Sequence, residues 1–254
     1  MIAREPGAEN PSIPTWANDS NNPTQLSLSP QPVDTVRVEK VPGAFQILNV
    51  LSDEECDNLI KISESIGYTA DAAVSLPRTI RHNFNVTWVV DDATSAILWN
   101  RCESLISLKD PSLRNLSPVG LNARFRFYRY KVGDYFGPHT DGAWSESKIV
   151  NRRLVSNTFT DRYSQLSFIV FLSDGYSGGR TEFFLGSDHD KKIKVTTPKG
   201  GVLCFPHGAH PLHCVHGSET ITDGTKYIVR TDVLFTNKTV QSDSKIVDFN
   251  KTVT

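Results

Sequence analysis

From residue 121 to residue 235 the chain reads as a succession of short β-type runs with no helical periodicity between them. The runs span 121–130, 165–172, 181–185, 193–195, 201–205 and 226–235, and the segments separating them are rich in Gly, Pro, Asp and Ser. Many short strands without interleaved helices predict an antiparallel double sheet, a sandwich or jelly roll. Such a sheet pair has an open mouth in which side chains from distant strands converge.

The preceding segment reads as support for that core. Two short strands are predicted over 36–38 and 44–48, around the turn Pro42-Gly43. Ser52-Asp53-Glu54-Glu55 is a capping box, with Ser52 as N-cap and Glu55 reaching back from N3. The helix it opens places Leu59, Ile62 and Ile66 on one side and stops at Gly67. A strand follows over 84–90, and Asp91-Asp92 opens a second helix through about residue 108 with Leu98, Cys102 and Leu105 on one side. The expected fold class is α+β, a double-stranded β-helix (jelly-roll) core with supporting N-terminal helices. One domain is expected over 36–240, with helical support over 44–110 and the jelly roll over 120–236. Residues 1–35, rich in Pro, Asn and Ser, read as a disordered arm, and 241–254 as a polar tail.

Composition narrows the function classes. Lys+Arg 27 against Asp+Glu 28 leaves a formal charge of −1, no electrostatic footprint for nucleic acid or an anionic membrane. No apolar run approaches the roughly 20 residues of a membrane span. The first ten residues lack the apolar stretch of a secretory signal. Cys56, Cys102, Cys204 and Cys214 show no CxxC spacing and read as reduced thiols, so an intracellular, cytoplasmic location is expected.

The chemistry concentrates in Phe136-Gly137-Pro138-His139-Thr140-Asp141-Gly142. Residues i and i+2 of an extended strand share a face, so His139 and Asp141 can point at one spot. An imidazole and a carboxylate are two thirds of the 2-His-1-carboxylate triad that binds non-haem Fe(II) and leaves positions open. The third ligand is sought in a stretch carrying His207, His210, His213 and His216. His216 is preferred because Lys226 stands ten residues after it and opens a strongly β-patterned run. A turn at Asp223-Gly224 is expected to fold that run back antiparallel to the strand of His216, placing Lys226 behind the metal. A buried ammonium needs a partner, which a metal-chelating dicarboxylate would supply. The polar stretch 144–162 is long for a hairpin connection and reads as a lid.

The His139-x-Asp141 pair, Gly178-Gly179-Arg180-Thr181-Glu182-Phe183, and His216 with Lys226 ten residues on resemble the Fe(II)/2-oxoglutarate-dependent dioxygenases, in their prolyl 4-hydroxylase-like branch. The likeness runs over about 121–235, and the segment from about 44 resembles that branch's helical support. It implies His139, Asp141 and His216 as iron ligands and Lys226 as partner of the 2-oxoglutarate C5 carboxylate. It also implies Tyr130 hydrogen-bonded to that cosubstrate and Thr181 in the pocket. Arg230 shares a strand face with Lys226; it either pairs with an acid such as Asp232, rivals Lys226 for the cosubstrate, or meets an anionic substrate. Arg126, Tyr128, Phe136 and Trp144 are candidate substrate contacts. Phe184 stands where the branch usually has proline, and Phe136 lacks the hydroxyl many members carry there. The implied reaction consumes O2 and decarboxylates 2-oxoglutarate to succinate and CO2 while hydroxylating an unactivated C–H, with ascorbate as a rescue reductant. Retention of Asp141 favours hydroxylation over halogenation. The substrate class is a peptidyl proline or, alternatively, a small metabolite or free amino acid. A different class of function, a silent jelly roll that binds a partner, is the remaining alternative.

Overall fold

The structure, a computed structural model, describes residues 2–3, 13–18, 22–28, 33–72, 76–106, 113, 116–151, 153–156, 161–186 and 190–237. The expected tail over 241–254 and the last two residues of the second helix as expected, 107–108, lie outside them. Elements are numbered in chain order.

Two sheets face each other. The larger runs in the order β1 (Ile2–Ala3), β2 (Thr15–Ala17), β6 (Phe84–Val89), β8 (Arg124–Tyr130), β19 (Lys226–Asn237), β12 (Arg162–Phe171), β16 (Val202–Pro206), β4 (Phe45–Leu48), β3 (Asp34–Arg37). A further strand, β7 (Leu116–Leu121), lies against the second half of β19. The smaller sheet runs β15 (Lys191–Val195), β14 (Thr181–Leu185), β17 (Val215–Ser218), β9 (Tyr135–His139), β5 (Arg81–His82). Two short pairs complete the strands, β10 (Ser147–Val150) with β11 (Arg153–Ser156) and β13 (Ser177–Gly178) with β18 (Ile221–Asp223). Pairing is antiparallel except between β2 and β6. This is the expected double sheet.

Alternation along the large sheet divides the core. Phe125 and Phe127 of β8, Phe168 and Val170 of β12 and Val229 of β19 pack outward, with Leu59, Leu98 and Cys102 of the two helices. Tyr128, Tyr130, Ile169, Phe171 and Ile228 point inward, where they meet Phe183 of the small sheet. Period-two patterning thus gives each central strand one face for the helices and one for the barrel interior.

The helices are α1 (Asp53–Ile66) and α2 (Asp92–Ile106). The capping box is present as predicted: Glu55 N donates to Ser52 Oγ at 3.2 Å, and Ser52 N donates to Glu55 Oε2 at 2.9 Å. Glu55 does more than cap. Its two oxygens accept from Arg101 Nη1 and Nη2 at 2.8 and 2.7 Å, and Oε1 also accepts from Ser27 N at 2.8 Å. Both side chains are buried. Glu55→Ala leaves the buried Arg101 guanidinium without its counter-charge, with the Val50 and Ser27 carbonyls as its remaining acceptors, and an unfolding free energy lower by about 3–5 kcal/mol is expected in urea titration. A loss under about 1 kcal/mol, the scale of a cap alone, would show that the ion pair contributes nothing.

The expected disordered arm needs correction over residues 13–18 and 22–28. Thr15 and Ala17 are buried in β2, and Leu26 joins the helix-side core. Asn18 Oδ1 accepts from Trp88 Nε1 at 2.8 Å, and Asp91, which caps α2 through Thr94 N at 3.0 Å, also accepts from Asn22 N at 2.9 Å. The composition hid this because the segment is held by side-chain and main-chain hydrogen bonds rather than by an apolar stripe.

A second correction concerns the turn at Asp223-Gly224. The strand of His216, β17, pairs with β14 and β9, while Lys226 opens β19 in the opposite sheet. The chain crosses between sheets at Gly224, whose φ of +74° and crowding against the Gly175 carbonyl suit glycine alone. Lys226 therefore faces His216 across the barrel instead of lying beside it in a hairpin.

The stretch 144–162 holds an antiparallel hairpin, β10 with β11, whose Ile149 and Leu154 pack on the helix-side core. Lys148 Nζ lies 3.1 Å from Asp92 Oδ2 at the start of α2. Among the described residues no helix is long and apolar enough to cross a membrane. The four cysteines are free thiols.

Candidate metal centre

Strand register brings the two histidines together. β9 and β17 pair so that His139 stands directly opposite His216, with ring centroids 4.3 Å apart. Asp141 lies two residues on, just past the end of β9, and turns its carboxylate between them. His139 Nε2 is 3.8 Å from Asp141 Oδ1, and His216 Nε2 is 3.5 Å from Asp141 Oδ2. One ligand atom from each of the three lies within 4.8 Å of the others. Of the four downstream histidines, His216 completes the group. His210 is buried elsewhere, its Nδ1 accepting from Leu212 N at 3.0 Å.

The far side of each imidazole is already committed. His139 Nδ1 donates to the Gly137 carbonyl at 2.9 Å and His216 Nδ1 to the Cys214 carbonyl at 3.2 Å. Both rings thus carry the proton on Nδ1 and present a bare Nε2 lone pair, the tautomer a metal needs. Phe136 stacks on His139 with centroids 3.6 Å apart, and Phe205 tilts against His216 at 4.5 Å. Burial, then the neighbouring His216, push the His139 pKa down to about 3, and burial lowers that of His216. Burial alone would raise the Asp141 carboxyl. The Arg230 guanidinium, with Nη1 at 2.6 Å from Oδ1, and then the two histidines outweigh it and hold the group well below the usual carboxylate range. The site is therefore two neutral imidazoles and one carboxylate, a donor set suited to a divalent transition metal.

Lys226 occupies the other end of the same pocket. It is 1% exposed, and its Nζ donates to the Gly179 carbonyl at 2.5 Å and to Ser218 Oγ at 3.1 Å. The ammonium also lies 5.1 Å from the Tyr130 ring centroid and 5.4 Å from that of Phe171. Among the described residues no carboxylate stands within ion-pair distance of it. Burial accordingly pushes its pKa down to about 7, against a weak opposing pull from Glu219. Gly179 has φ +64°, and a Cβ there would meet Ile221 Cδ1 at 2.3 Å, so the carbonyl that receives Lys226 needs glycine.

A scan of known protein families finds no match to the sequence, and neither does a search of curated proteins. Solved structures do match. A prolyl hydroxylase from Trichoplax adhaerens, in complex with a hypoxia-inducible-factor oxygen-degradation-domain peptide, is 17% identical with a TM-score of 0.54, covering 80% of this chain and 87% of its own. The viral collagen prolyl hydroxylase of Paramecium bursaria Chlorella virus 1, in its 2-oxoglutarate complex, is 16% identical with a TM-score of 0.48, covering 80% and 96%. The first of these decides the architecture. This chain shares the fold of that structure. A shared fold does not assign a reaction, so the weight stays on the side chains.

Within this fold, nine residues singled out from sequence line one pocket: His139, Asp141, His216, Lys226, Tyr130, Thr181, Arg230, Tyr128 and Phe136. Arg126 and Trp144 do not line it. Arg126 Nη2 pairs with Asp232 Oδ2 at 2.6 Å, and Trp144 lies beneath Arg124 and Arg126, whose guanidinium carbons are 4.3 and 5.3 Å from its centroid. Arg230 sits at the metal end of the pocket and away from Lys226, between Asp141 and Asp232, with Nη2 2.9 Å from Asp232 Oδ1. A larger cleft of about 320 Å3 beyond Gly179 holds neither histidine, so the smaller pocket carries the chemistry. Sequence reasoning missed Ser167, Ser218, and the use made of His207.

Proposed function

We propose that the protein is an Fe(II)- and 2-oxoglutarate-dependent dioxygenase that hydroxylates an unactivated C–H bond, with a peptidyl proline as its substrate. The observation that carries this reading is one pocket holding two Nε2 lone pairs, a carboxylate, and a buried ammonium that lacks an acid. His139, Asp141 and His216 would hold the iron and leave positions open for small ligands. Lys226 would hold the distal carboxylate of 2-oxoglutarate, with Tyr130, Thr181 and Ser218 around it. When bound, iron, 2-oxoglutarate and O2 supply the oxidative decarboxylation to succinate and CO2 that drives hydroxylation. The protein's share is orientation and exclusion of water, for which Phe136, Ile169 and Ile228 form apolar walls.

A chain substrate is supported by the position of the 144–162 stretch. Its hairpin packs on the helix-side core, and none of its described residues lines the pocket. Arg126 and Arg230, which would favour an acidic metabolite, are engaged by Asp232 and Asp141. Anaerobic addition of 2-oxoglutarate to the Fe(II)-loaded protein is expected to produce a visible charge-transfer band that His139→Ala lacks. Succinate release should then respond to proline-containing peptides, with ascorbate sustaining turnover. Absence of the band would leave a silent binding domain, and stimulation by free amino acids alone would move the substrate to the metabolite class.

A further inference from the structure

Both oxygens of Asp141 have protein partners. Arg230 takes Oδ1, as described. Oδ2 accepts from Ser167 Oγ at 2.6 Å. Behind Ser167 stands His207, 1% exposed, with Nδ1 2.8 Å from Ser167 Oγ and Nε2 2.8 Å from Ser164 Oγ. Ser164 Oγ in turn accepts from the main-chain N–H of Trp144 at 2.8 Å.

Proton counting gives this chain a single direction. A carboxylate has no proton to offer, so the Ser167 hydroxyl donates to Asp141 and must accept from His207 Nδ1–H. The neutral ring then has a bare Nε2, which accepts the Ser164 hydroxyl, and the Ser164 oxygen is left to accept the Trp144 N–H. Each hydroxyl and ring nitrogen along the path thus has a hydrogen-bond partner, and Asp232 Oδ1 lies farther off, 3.7 Å from His207 Nδ1.

The backbone is shaped to allow this. Ser164 and Ser167 are three apart on β12, a spacing that places them on opposite faces of a regular strand. A register shift between Ser164 and Leu166 marks a β-bulge at Gln165, whose carbonyl accepts from His207 N at 3.0 Å. The bulge turns both hydroxyls toward the one imidazole, the kind of re-aiming that bulges perform beside functional sites.

We propose that Ser167 and His207 are positioning residues: the chain Trp144 N–Ser164–His207–Ser167 holds the Asp141 carboxylate in its metal-binding orientation and ties it to the root of the 144–162 connection. This rests on reading His139, Asp141 and His216 as a metal centre. Loss of an outer partner to a metal ligand lowers metal affinity by about 10–100-fold in general, and that range is expected when the Ser167 hydroxyl is removed.

The test compares Ser167→Thr with Ser167→Val, which share a shape and differ only in the hydroxyl, by titrating each full-length protein with Co(II) and following its visible absorption. Ser167→Thr should bind cobalt within a few-fold of wild type, whereas Ser167→Val should bind about 10–100-fold more weakly, each titrated at a temperature well below its own metal-free melting point because the valine variant also loses stability through the buried partners it leaves unpaired. His207→Phe should weaken binding as well, because the serine loses its donor. Equal cobalt affinity in the threonine and valine variants would overturn the proposal while leaving the metal centre intact. Wild-type protein that fails to bind cobalt, or binding indifferent to His139→Ala, would remove the metal centre and the proposal with it.

Discussion

His216→Ala is expected to abolish metal binding and 2-oxoglutarate turnover, while His210→Ala keeps both. The two histidines are six residues apart, and both are almost wholly buried, so loss of bulk is similar in kind. Their nitrogens differ. His216 Nε2 sits 3.5 Å from Asp141 and opposite His139, so its removal takes one of three donors from the centre. Loss of an inner ligand should exceed the roughly 10–100-fold typical of outer partners, leaving no measurable Co(II) affinity at micromolar protein. His210 Nδ1 instead receives Leu212 N, and replacing it leaves that N–H without its acceptor at a cost of about 1–3 kcal/mol. The expected pattern is an active His210→Ala protein beside an inactive His216→Ala protein, both less heat-stable than wild type because each loses a buried imidazole and its hydrogen bond to the main chain. An inactive His210→Ala alongside an active His216→Ala would reassign the ligand and dissolve the pocket argument. His207→Ala belongs between them, weakened in metal binding through Ser167 but not devoid of it.

Legibility in the sequence followed the range of the interaction. Strand existence, the capping box at Ser52 and the helix openings are local, set by side-chain period and by residues three or four apart, and they appear in the structure close to where pattern placed them. The His139–Asp141–His216 group was legible because its residue types are rare together and Lys226 follows at a telling distance. How Lys226 reaches the site was not. The pattern of 226–235 says strand, but the sheet it joins depends on a crossover at Gly224 that no local signal distinguishes from a hairpin turn. Residues 13–18 and 22–28 misled for a related reason. Their polar side chains read as solvated, whereas Asn18 and Asn22 are bonded to Trp88, Asp91 and the main chain of Leu26. Ser167 and His207 were invisible because the bulge at Gln165 breaks the period on which face assignment rests. Arg230 shows the limit from the other side. Sequence placed it correctly on the Lys226 face, yet only the position of Asp141 tells that its charge is already engaged.

Affinity for 2-oxoglutarate is expected to weaken about tenfold per pH unit above pH 7, the dependence expected when a ligand requires one protonated group. The cause is Lys226, whose pKa burial lowers from 10.5 to about 7 because no carboxylate of the described residues pairs with it. Between those values the unfolded chain keeps a proton that the folded protein releases. The penalty of a buried ammonium is therefore complete below about pH 7 and fades as pH rises toward 10.5, so the ligand-free fold gains stability across that window. A bound dicarboxylate reverses the balance by giving the ammonium its missing partner. Binding near pH 8 should then take up a proton, visible in calorimetry as a binding enthalpy that changes with the ionisation enthalpy of the buffer, using Ni(II)-loaded protein to prevent turnover. Lys226→Arg keeps its charge at every working pH, so its pH profile should be flat even though its rigid fork fits the Gly179 carbonyl and Ser218 less well and binds more weakly. Lys226→Met should lose the ligand at all pH values while retaining Co(II). A wild-type profile as flat as that of the arginine variant, with no proton uptake, would mean that the distal carboxylate is held elsewhere. Arg230 offers no substitute as built, since Asp141 and Asp232 occupy its two terminal nitrogens and giving up either would disturb the carboxylate between the histidines.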